Sequence, residues 1–536
     1  MTSGGFRPLL ARTARDPRAV LAVGAILIEM ALLWLWPAAF LSDYQDSTSR
    51  IGQMFTDRYP LIGAVLHALK AVVDRLFPGA LWTWEHLVSF IFEVLLVAFA
   101  AYALSAWRTH ARGEINPWWI FGPLLAFEFT LVLLPASFTT DIFNYALYGE
   151  MPVFYAANPF IHTPGEFPQN PLFYMIPTYW HDAPSVYGPL WIDLSAGIAA
   201  AFRSVALADE LLAYRLIANL AHGVNATLVW QIARRIRPAA APAAALAYAW
   251  NPLLLLEFSM NGHNDVLMLT LLLGACLTAM ERHWKLAALL LGLSIATKYT
   301  SALVALPLLV WTARQHASSW RVQLRILTSG GLISLAVVCV LYAPWIQGWD
   351  TFGPVWYWMS GPRIQNFLPE PILTTIASWS AIAFHQEYDA AWNATFELFK
   401  ALAKGALVLL VIWESWRSRT IEQTLRGCAR IFLMFLLTVN TWVMPWYFSW
   451  PLAIVAPIGW GSRTVRICAS ITLTACVLLY QRQMHYAFVP EWGGFVLLIP
   501  LLLAPLPAVV RGARGLWLRD WLGAGHLIER EASTGT

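Results

Sequence analysis

The residues best suited to chemistry begin at Asp141. It stands in TTDIFNYALYGEMPVFYAANPFIHTP, residues 139–164, which also holds Glu150 and contains no Lys or Arg. Taken alone, an acid a few residues beyond an apolar run is a helix cap or a solvated loop residue. Its neighbours add a second reading. If residues 140–149 are helical, Asp141, Tyr145 and Tyr148 share one face at i, i+4 and i+7. A carboxylate beside aromatic rings can grip a sugar and take the proton from its hydroxyl. Glu150 falls off that face and reads as a support of the loop. Asn158-Pro159 opens a new segment, because the residue before a proline is pushed out of the helical region.

Other stretches carry polar groups that need a purpose. EFSMNGHNDVLM, residues 257–268, packs Glu257, Asn261, His263, Asn264 and Asp265 into nine residues. Asn-Gly is ordinary in a solvated turn, but a His-Asn-Asp run at the mouth of a helix suits binding. His263 with Asp265 supplies two candidate metal ligands, one or two short of a site, so a divalent metal stays open. Lys298 is a lone ammonium inside an apolar stretch, either snorkelling to an interface or neutralising a phosphate as a point charge. SVYGPLW, residues 185–191, reads as a turn with Trp191 anchoring the next helix. Trp442, Trp446, Tyr447 and Trp450 surround Pro445 as an aromatic belt, or as a wall facing sugar or lipid. Glu29, Glu93, Glu128, Asp193, Arg215 and Lys400 also fall in apolar runs, where charges are costly and seek partners.

The elements that position these residues are membrane helices. The chain of 536 residues is 58% hydrophobic and 12% charged, against about 25% charged for a soluble domain, and its mean hydropathy is +0.56. The 29 tryptophans suit many membrane interfaces. The small net charge of +4 and the lack of a basic stripe argue against nucleic acid. The five cysteines, Cys276, Cys339, Cys428, Cys468 and Cys476, sit in or beside apolar runs without a CxxC pair, which predicts neither disulfides nor zinc. Apolar runs fall near 19–41, 84–107, 118–136, 188–206, 210–233, 239–258, 264–281, 326–345, 394–413, 431–449, 465–481 and 493–510. The expected fold is an all-α polytopic integral membrane protein of about 12–14 transmembrane helices. Residues 61–76 read as a helix lying on the membrane surface. Three parts are expected: N-terminal helices at 1–117, a catalytic module at 118–345 with its external loop at 137–187, and C-terminal helices with a short tail at 346–536.

Basic residues orient the chain. Arg7, Arg12, Arg15 and Arg18 put the N-terminus in the cytoplasm, and Arg108 and Arg112 place the loop after the second span there too. The loop 137–187, free of Lys and Arg, then lies outside, together with the turns at 259–263, 346–368 and 443–450. Two places resist the count. Two apparent spans lie between Gly188, outside, and Arg234, inside, where parity needs an odd number. Between Lys285 and Arg314, both cytoplasmic, about 26 apolar residues offer too few for two crossings of about 20 each. Two half-length helices meeting near Lys298 and lining a cavity would satisfy length and charge together.

Taken in order, DIFNYALYGEMPVFYAANPF, YGPLW, NPLLLLEFSMNGHND, ATKYTSALVALP and PWYFSW resemble the polyprenol-phosphate-mannose-dependent mannosyltransferases of the glycosyltransferase C superfamily, closest to the bacterial α-mannosyltransferases of lipoglycan type. The likeness covers about residues 118–455. It implies a long first external loop carrying a catalytic Asp, a position that Asp141 matches. It also implies a polyprenyl-phosphate sugar donor in the outer leaflet, inversion at the anomeric carbon, and an extracytoplasmic glycan or glycolipid acceptor. On that footing Asp141 is the base. Lys298, with Arg215 in reserve, stabilises the leaving phosphate. His263, Asn264 and Asp265 orient sugar or phosphate, Asn158 contacts substrate, and Tyr145, Tyr148, Trp446 and Tyr447 stack on sugar or line the prenyl groove. Where many members carry a second acid two residues on, this chain has Phe143 and then Asn144, which leaves the metal requirement open. The rival readings are a lipid or sugar transporter or flippase, for which no inverted repeat is visible, and a noncatalytic membrane subunit of the same fold.

Overall fold

The computed structural model describes residues 16–35, 54–76, 78, 84–112, 115–134, 139–353, 364, 367–483 and 498–503. Every element named there is helical, as expected of an all-α membrane protein. Arg7, Arg12 and Arg15, most of the last apolar run at 493–510 and the C-terminal tail lie outside the described residues, as does 354–363 in one expected outer loop. The chain forms two units. The first comprises Met1–Ser301 with Thr328–Pro362, and the second Ala302–Leu327 with Arg363–Thr536.

In the first unit, α1 (Pro17–Leu33) starts at Asp16, whose carboxylate accepts the Arg18 N–H at 2.9 Å. α2 (Pro60–Leu76) is a 17-residue amphipathic helix that leaves Leu61, Val65, Val72 and Leu76 exposed. α3 (Trp84–Arg112) and α4 (Trp118–Val132) pack on α1, so the N-terminal helices belong to the unit that holds Asp141. α5 (Asp141–Phe154) opens the loop expected outside and lies on α6 (Pro189–Ala201) at Gly149, where a Cβ would sit 2.5 Å from the Ser195 carbonyl oxygen. α7 (Leu207–Ile236) has 30 residues and α6 only 13. At 1.5 Å per residue α6 is about 20 Å long, short of the ~30 Å hydrocarbon core, so α6 alone does not cross it. α8 (Ala241–Ala249) leads through Asn251-Pro252 into a π-helix, Leu255–Met260. α9 (Asp265–Met280) and α10 (Trp284–Thr297) then form a packed pair.

In the second unit, α11 (Ala305–His316), α13 (Glu370–Phe384) and α15 (Ile421–Met434) pack around the 30-residue α14 (Tyr388–Arg417). α12 (Trp320–Tyr342) is shared between the units at Thr328. Two buried charges meet here, Arg430 on α15 and Glu414 on α14, with Nε to Oε1 at 2.8 Å and Nη2 to Oε2 at 2.5 Å. α16 (Ser449–Val455) and α17 (Arg463–Gln483) follow.

Among the described residues, two helices are long and apolar enough to cross a bilayer, Ile91–His110 and Trp320–Trp345. A third crossing is made if Pro238–Ala249 and Pro252–Met260, bent by 48°, count as one. Among the described residues several apolar runs are cut into pieces such as Trp118–Val132, Asp265–Met280 and Trp284–Thr297, so fewer full-length helices appear there than the 12–14 expected of the whole chain. The break near Lys298 is one of these cuts. Helices of 14 and 12 residues flank an extended Lys298 (φ −152°) and a 3-10 turn at Tyr299–Val304.

Candidate active site

Asp141 is the first residue of α5, its backbone N–H bonded to Thr139 Oγ1 at 3.2 Å. Its side chain retains 16% exposure, and Oδ2 lies 3.6 Å from Nδ1 of the fully buried His263. The opposite nitrogen, Nε2, lies 3.0 Å from Oε2 of the equally buried Glu257. Local chain geometry brings Glu257 and His263 together although they are six residues apart. The wide π-turn carries Glu257 on its first turn, and Gly262 then reverses the chain with φ +72°, a conformation glycine adopts without the Cβ penalty. The His263 N–H closes this turn on the Glu257 carbonyl at 3.1 Å. Asn261 Nδ2 donates to Glu257 Oε2 at 2.9 Å. An Asp–His–Glu chain thus runs from the partly open end of α5 into the protein.

Beside it lies a second charged pair. Lys298 Nζ is 2.8 Å from both carboxylate oxygens of Asp265, the first residue of α9. Lys298 leaves α10 next to the turn at Tyr187-Gly188. There Gly188 N–H bonds the Thr297 carbonyl at 3.1 Å, and the Gly188 Cα abuts the backbone of Ala296 so closely that a Cβ would overlap its oxygen. YGPLW is therefore a close-packing device that fixes the Lys298 corner. Burial holds the Asp141 carboxyl up to about 7, the Lys298 ammonium pulling it down and Asp265 pushing it further up. Burial, with Lys298 adding to it, holds the His263 imidazole well below its usual range, so the ring is neutral near pH 7.

Several expectations are corrected. Lys298 is not an ammonium left to face a cavity alone, because Asp265 takes it in a two-oxygen clamp. The pairing of His263 with Asp265 as metal ligands does not form. Asp265 turns to Lys298, both His263 nitrogens face carboxyl groups, and among the described residues no group of three His, Cys, Asp or Glu could hold a metal ion. Tyr145 and Tyr148 are buried to 0% and 1% exposure, so their rings offer no open face to a sugar. Tyr145 is ringed edge-on by Tyr187 at 4.9 Å and Trp191 at 5.0 Å, with Tyr214 at 6.3 Å. Its hydroxyl reaches His263 Nδ1 at 3.3 Å and the Asn264 side-chain oxygen at 3.4 Å, which ties α5 to the His263 turn. Tyr148 donates to the Ala183 carbonyl at 2.8 Å.

Asn158 ties chain to chain, donating to the Trp345 carbonyl at 2.6 Å while accepting from Phe160 N–H. Arg215 donates to the carbonyls of Val132, at 3.3 Å, and Leu134, as a cation capping the C-terminus of α4 with Phe55 under its guanidinium. Glu150 accepts from Asn170 and so fastens the loop. Trp446 and Tyr447 belong to the second unit, in the 3-10 turn Pro445–Phe448, where Tyr447 packs on Trp450 at 4.7 Å. Other acids in the apolar runs find polar partners. Glu29 takes Thr130, Asp193 takes Trp345 Nε1 at 3.0 Å, and Glu128 meets His222 at 3.2 Å.

The pairing missed from sequence is Glu257 with His263. The signal was a single acid in the apolar run LLLLEF, a costly placement that demands a partner. A spacing of six falls on no regular helical face, so its partner was not readable.

Residues 59–315 match the family described as Alpha-(1->6)-mannopyranosyltransferase, N-terminal domain, and residues 196–445 match Glycosyltransferase family 87. The chain is 25% identical over 426 residues to alpha-(1->6)-mannopyranosyltransferase A of Mycobacterium tuberculosis, covering 75% of this chain and 78% of that protein. It is 22% identical over 393 residues to the protein of the same name from Corynebacterium glutamicum, covering 68% and 76%. No solved structure matches. These matches make this all-helical chain similar to membrane glycosyltransferases, the relatives among them mannosyltransferases by name.

Proposed function

We propose that the protein transfers mannose from a polyprenyl-phosphate carrier to a hydroxyl of an extracytoplasmic glycan or glycolipid, with Asp141 as the general base. The acceptor hydroxyl gives its proton to Asp141 while its oxygen bonds the anomeric carbon. The bond from that carbon to the phosphate oxygen breaks, the phosphate leaves with the electron pair, and configuration inverts. The linkage is taken as α-(1→6) from the names of the relatives, and inversion then requires a β-linked donor. The observation that carries the reading is Asp141 itself: a carboxyl at the partly exposed end of a buried polar chain, with an affinity for protons near 7, is matched to proton abstraction near neutral pH.

The loop 137–187, free of Lys and Arg, supports an active site on the outer face of the cytoplasmic membrane, where no nucleotide sugar is present and a lipid must carry the activated sugar. Lys298, 13% exposed in its clamp with Asp265, is the cation that offsets the leaving phosphate, and Asp265 holds it in register. The test is radiolabelled polyprenyl-phosphate-mannose and an envelope glycolipid extract, incubated with purified protein in nanodiscs. Wild type is expected to form labelled product. Asp141→Ala and Asp141→Asn are expected to lose at least about a thousandfold while eluting as folded protein, in keeping with loss of both base and its orientation. Activity retained in Asp141→Ala refutes the assignment, and no product from any lipid-phosphate sugar refutes the donor class.

A further inference from the structure

The Asp141–His263–Glu257 chain has an order that the reaction as written does not use. The Asp141 carboxylate is the end that touches acceptor, and everything behind it is enclosed. His263 presents Nδ1 to Asp141 and to the Tyr145 hydroxyl, at 3.6 and 3.3 Å, and Nε2 to Glu257 at 3.0 Å. A neutral imidazole has one N–H, and which nitrogen carries it is set by what the other meets. Glu257 is fully buried in the π-helix, and its ion-pair contact among the described residues is with His263. A buried carboxyl without a cation is costly as an anion. In its acid form it can turn its O–H toward Nε2, 3.0 Å away, and the imidazole proton then stands on Nδ1, facing Asp141.

We infer that Glu257 is a positioning residue for the transfer reaction: in its acid form it fixes the Nδ1–H tautomer and the ring angle of His263, so that His263 donates to one oxygen of Asp141 and leaves the other for the acceptor proton. The inference rests on Asp141 being the base. Three features besides the distances support it. Asn261 Nδ2 donates to Glu257 Oε2 at 2.9 Å and orients the carboxyl. Gly262, with φ +72°, folds the turn that brings His263 back onto Glu257. The Tyr145 hydroxyl, placed to donate to the Asn264 side-chain oxygen at 3.4 Å, can accept from Nδ1 as well, consistent with the same tautomer. The other groups acting on Asp141 are Lys298 and Asp265, whose opposite charges pull its proton affinity in opposite directions.

A hydrogen bond to the Asp141 carboxylate stabilises its charged form, so losing it moves the acid limb of the pH profile upward. The experiment measures kcat and KM against pH for Glu257→Leu, Glu257→Met and Glu257→Gln, each also in a His263→Phe background. Glu257→Leu and Glu257→Met are expected to raise the acid limb by about one pH unit and to lower kcat at pH 7 by about tenfold or more, with donor KM within about twofold. The amide introduced by Glu257→Gln would still donate an N–H to Nε2, so that variant is expected to move the limb by less than half as much. In the His263→Phe background none of the three should move it further. The inference is overturned by an unmoved limb in the apolar variants, by a shift in Glu257→Gln as large as theirs, or by any added shift without His263. If the apolar variants do not fold, Glu257→Gln decides alone, and a shift of the acid limb by about half a pH unit or more overturns the inference. Asp141→Ala separates the two ideas. If it is active, the base assignment fails. If it is inactive and the Glu257 variants leave the limb in place, only this inference fails.

Discussion

The Lys298–Asp265 clamp makes a prediction with two signs. Lys298 Nζ sits 2.8 Å from both oxygens of an Asp265 carboxylate that is fully buried. Lys298→Met removes the ammonium and leaves that carboxylate uncompensated, a loss of about 3–5 kcal/mol in stability. Lys298→Met with Asp265→Asn removes both charges and should recover most of it. The same two residues act on Asp141 in opposite directions, Lys298 lowering and Asp265 raising its affinity for protons. Unit charges within several ångströms at an effective dielectric near 20 are worth about 1–2 kcal/mol, or roughly one pH unit each. From a midpoint of about 7, Lys298→Met should move the acid limb toward about 8, and Asp265→Asn toward about 6. At pH 7 the ionised fraction of Asp141 would fall from about one half to about one tenth in the first variant, and rise to about nine tenths in the second.

The assay is kcat/KM across pH 5–9, beside thermal unfolding in the same detergent. Any loss in Lys298→Met that persists on the high-pH plateau reports the contact with phosphate, because ionisation no longer limits there. If both single variants move the limb the same way, or the double variant is no more stable than Lys298→Met, the electrostatic reasoning is wrong.

Two structural predictions accompany it. Gly188→Ala places a Cβ against the Ala296 carbonyl and should cost about 1–3 kcal/mol, together with activity as the Lys298 corner shifts. An unchanged melting temperature would refute the close-packing role of YGPLW. In the second unit, Arg430→Met leaves the buried Glu414 carboxylate alone and should cost about 3–5 kcal/mol, while Arg430→Met with Glu414→Leu should recover much of the loss. Equal instability in the single and double variants would refute it.

The sequence by itself determined the class of molecule, because apolar composition and run length bear directly on what a bilayer accepts. It also picked out the chemistry-bearing residues, since a carboxylate or ammonium in an apolar run is costly wherever it lies: Asp141, Glu257, His263, Asp265 and Lys298 were all visible as misfits, and the helix break at Lys298 followed from charge and length alone. What sequence could not determine was which misfit meets which. Tyr145 and Tyr148 share the helical spacing expected of a sugar platform, yet Tyr187, Trp191 and Tyr214 from distant segments cover the Tyr145 ring. Lys298 lies 33 residues from the Asp265 that neutralises it. Glu257 and His263 meet through a π-turn and a left-handed glycine, neither of which leaves a periodic trace. Periodicity reports the face of one helix. The pairing of buried charges is decided by long-range packing, where each polar group must find a partner among whatever the tertiary fold brings to it.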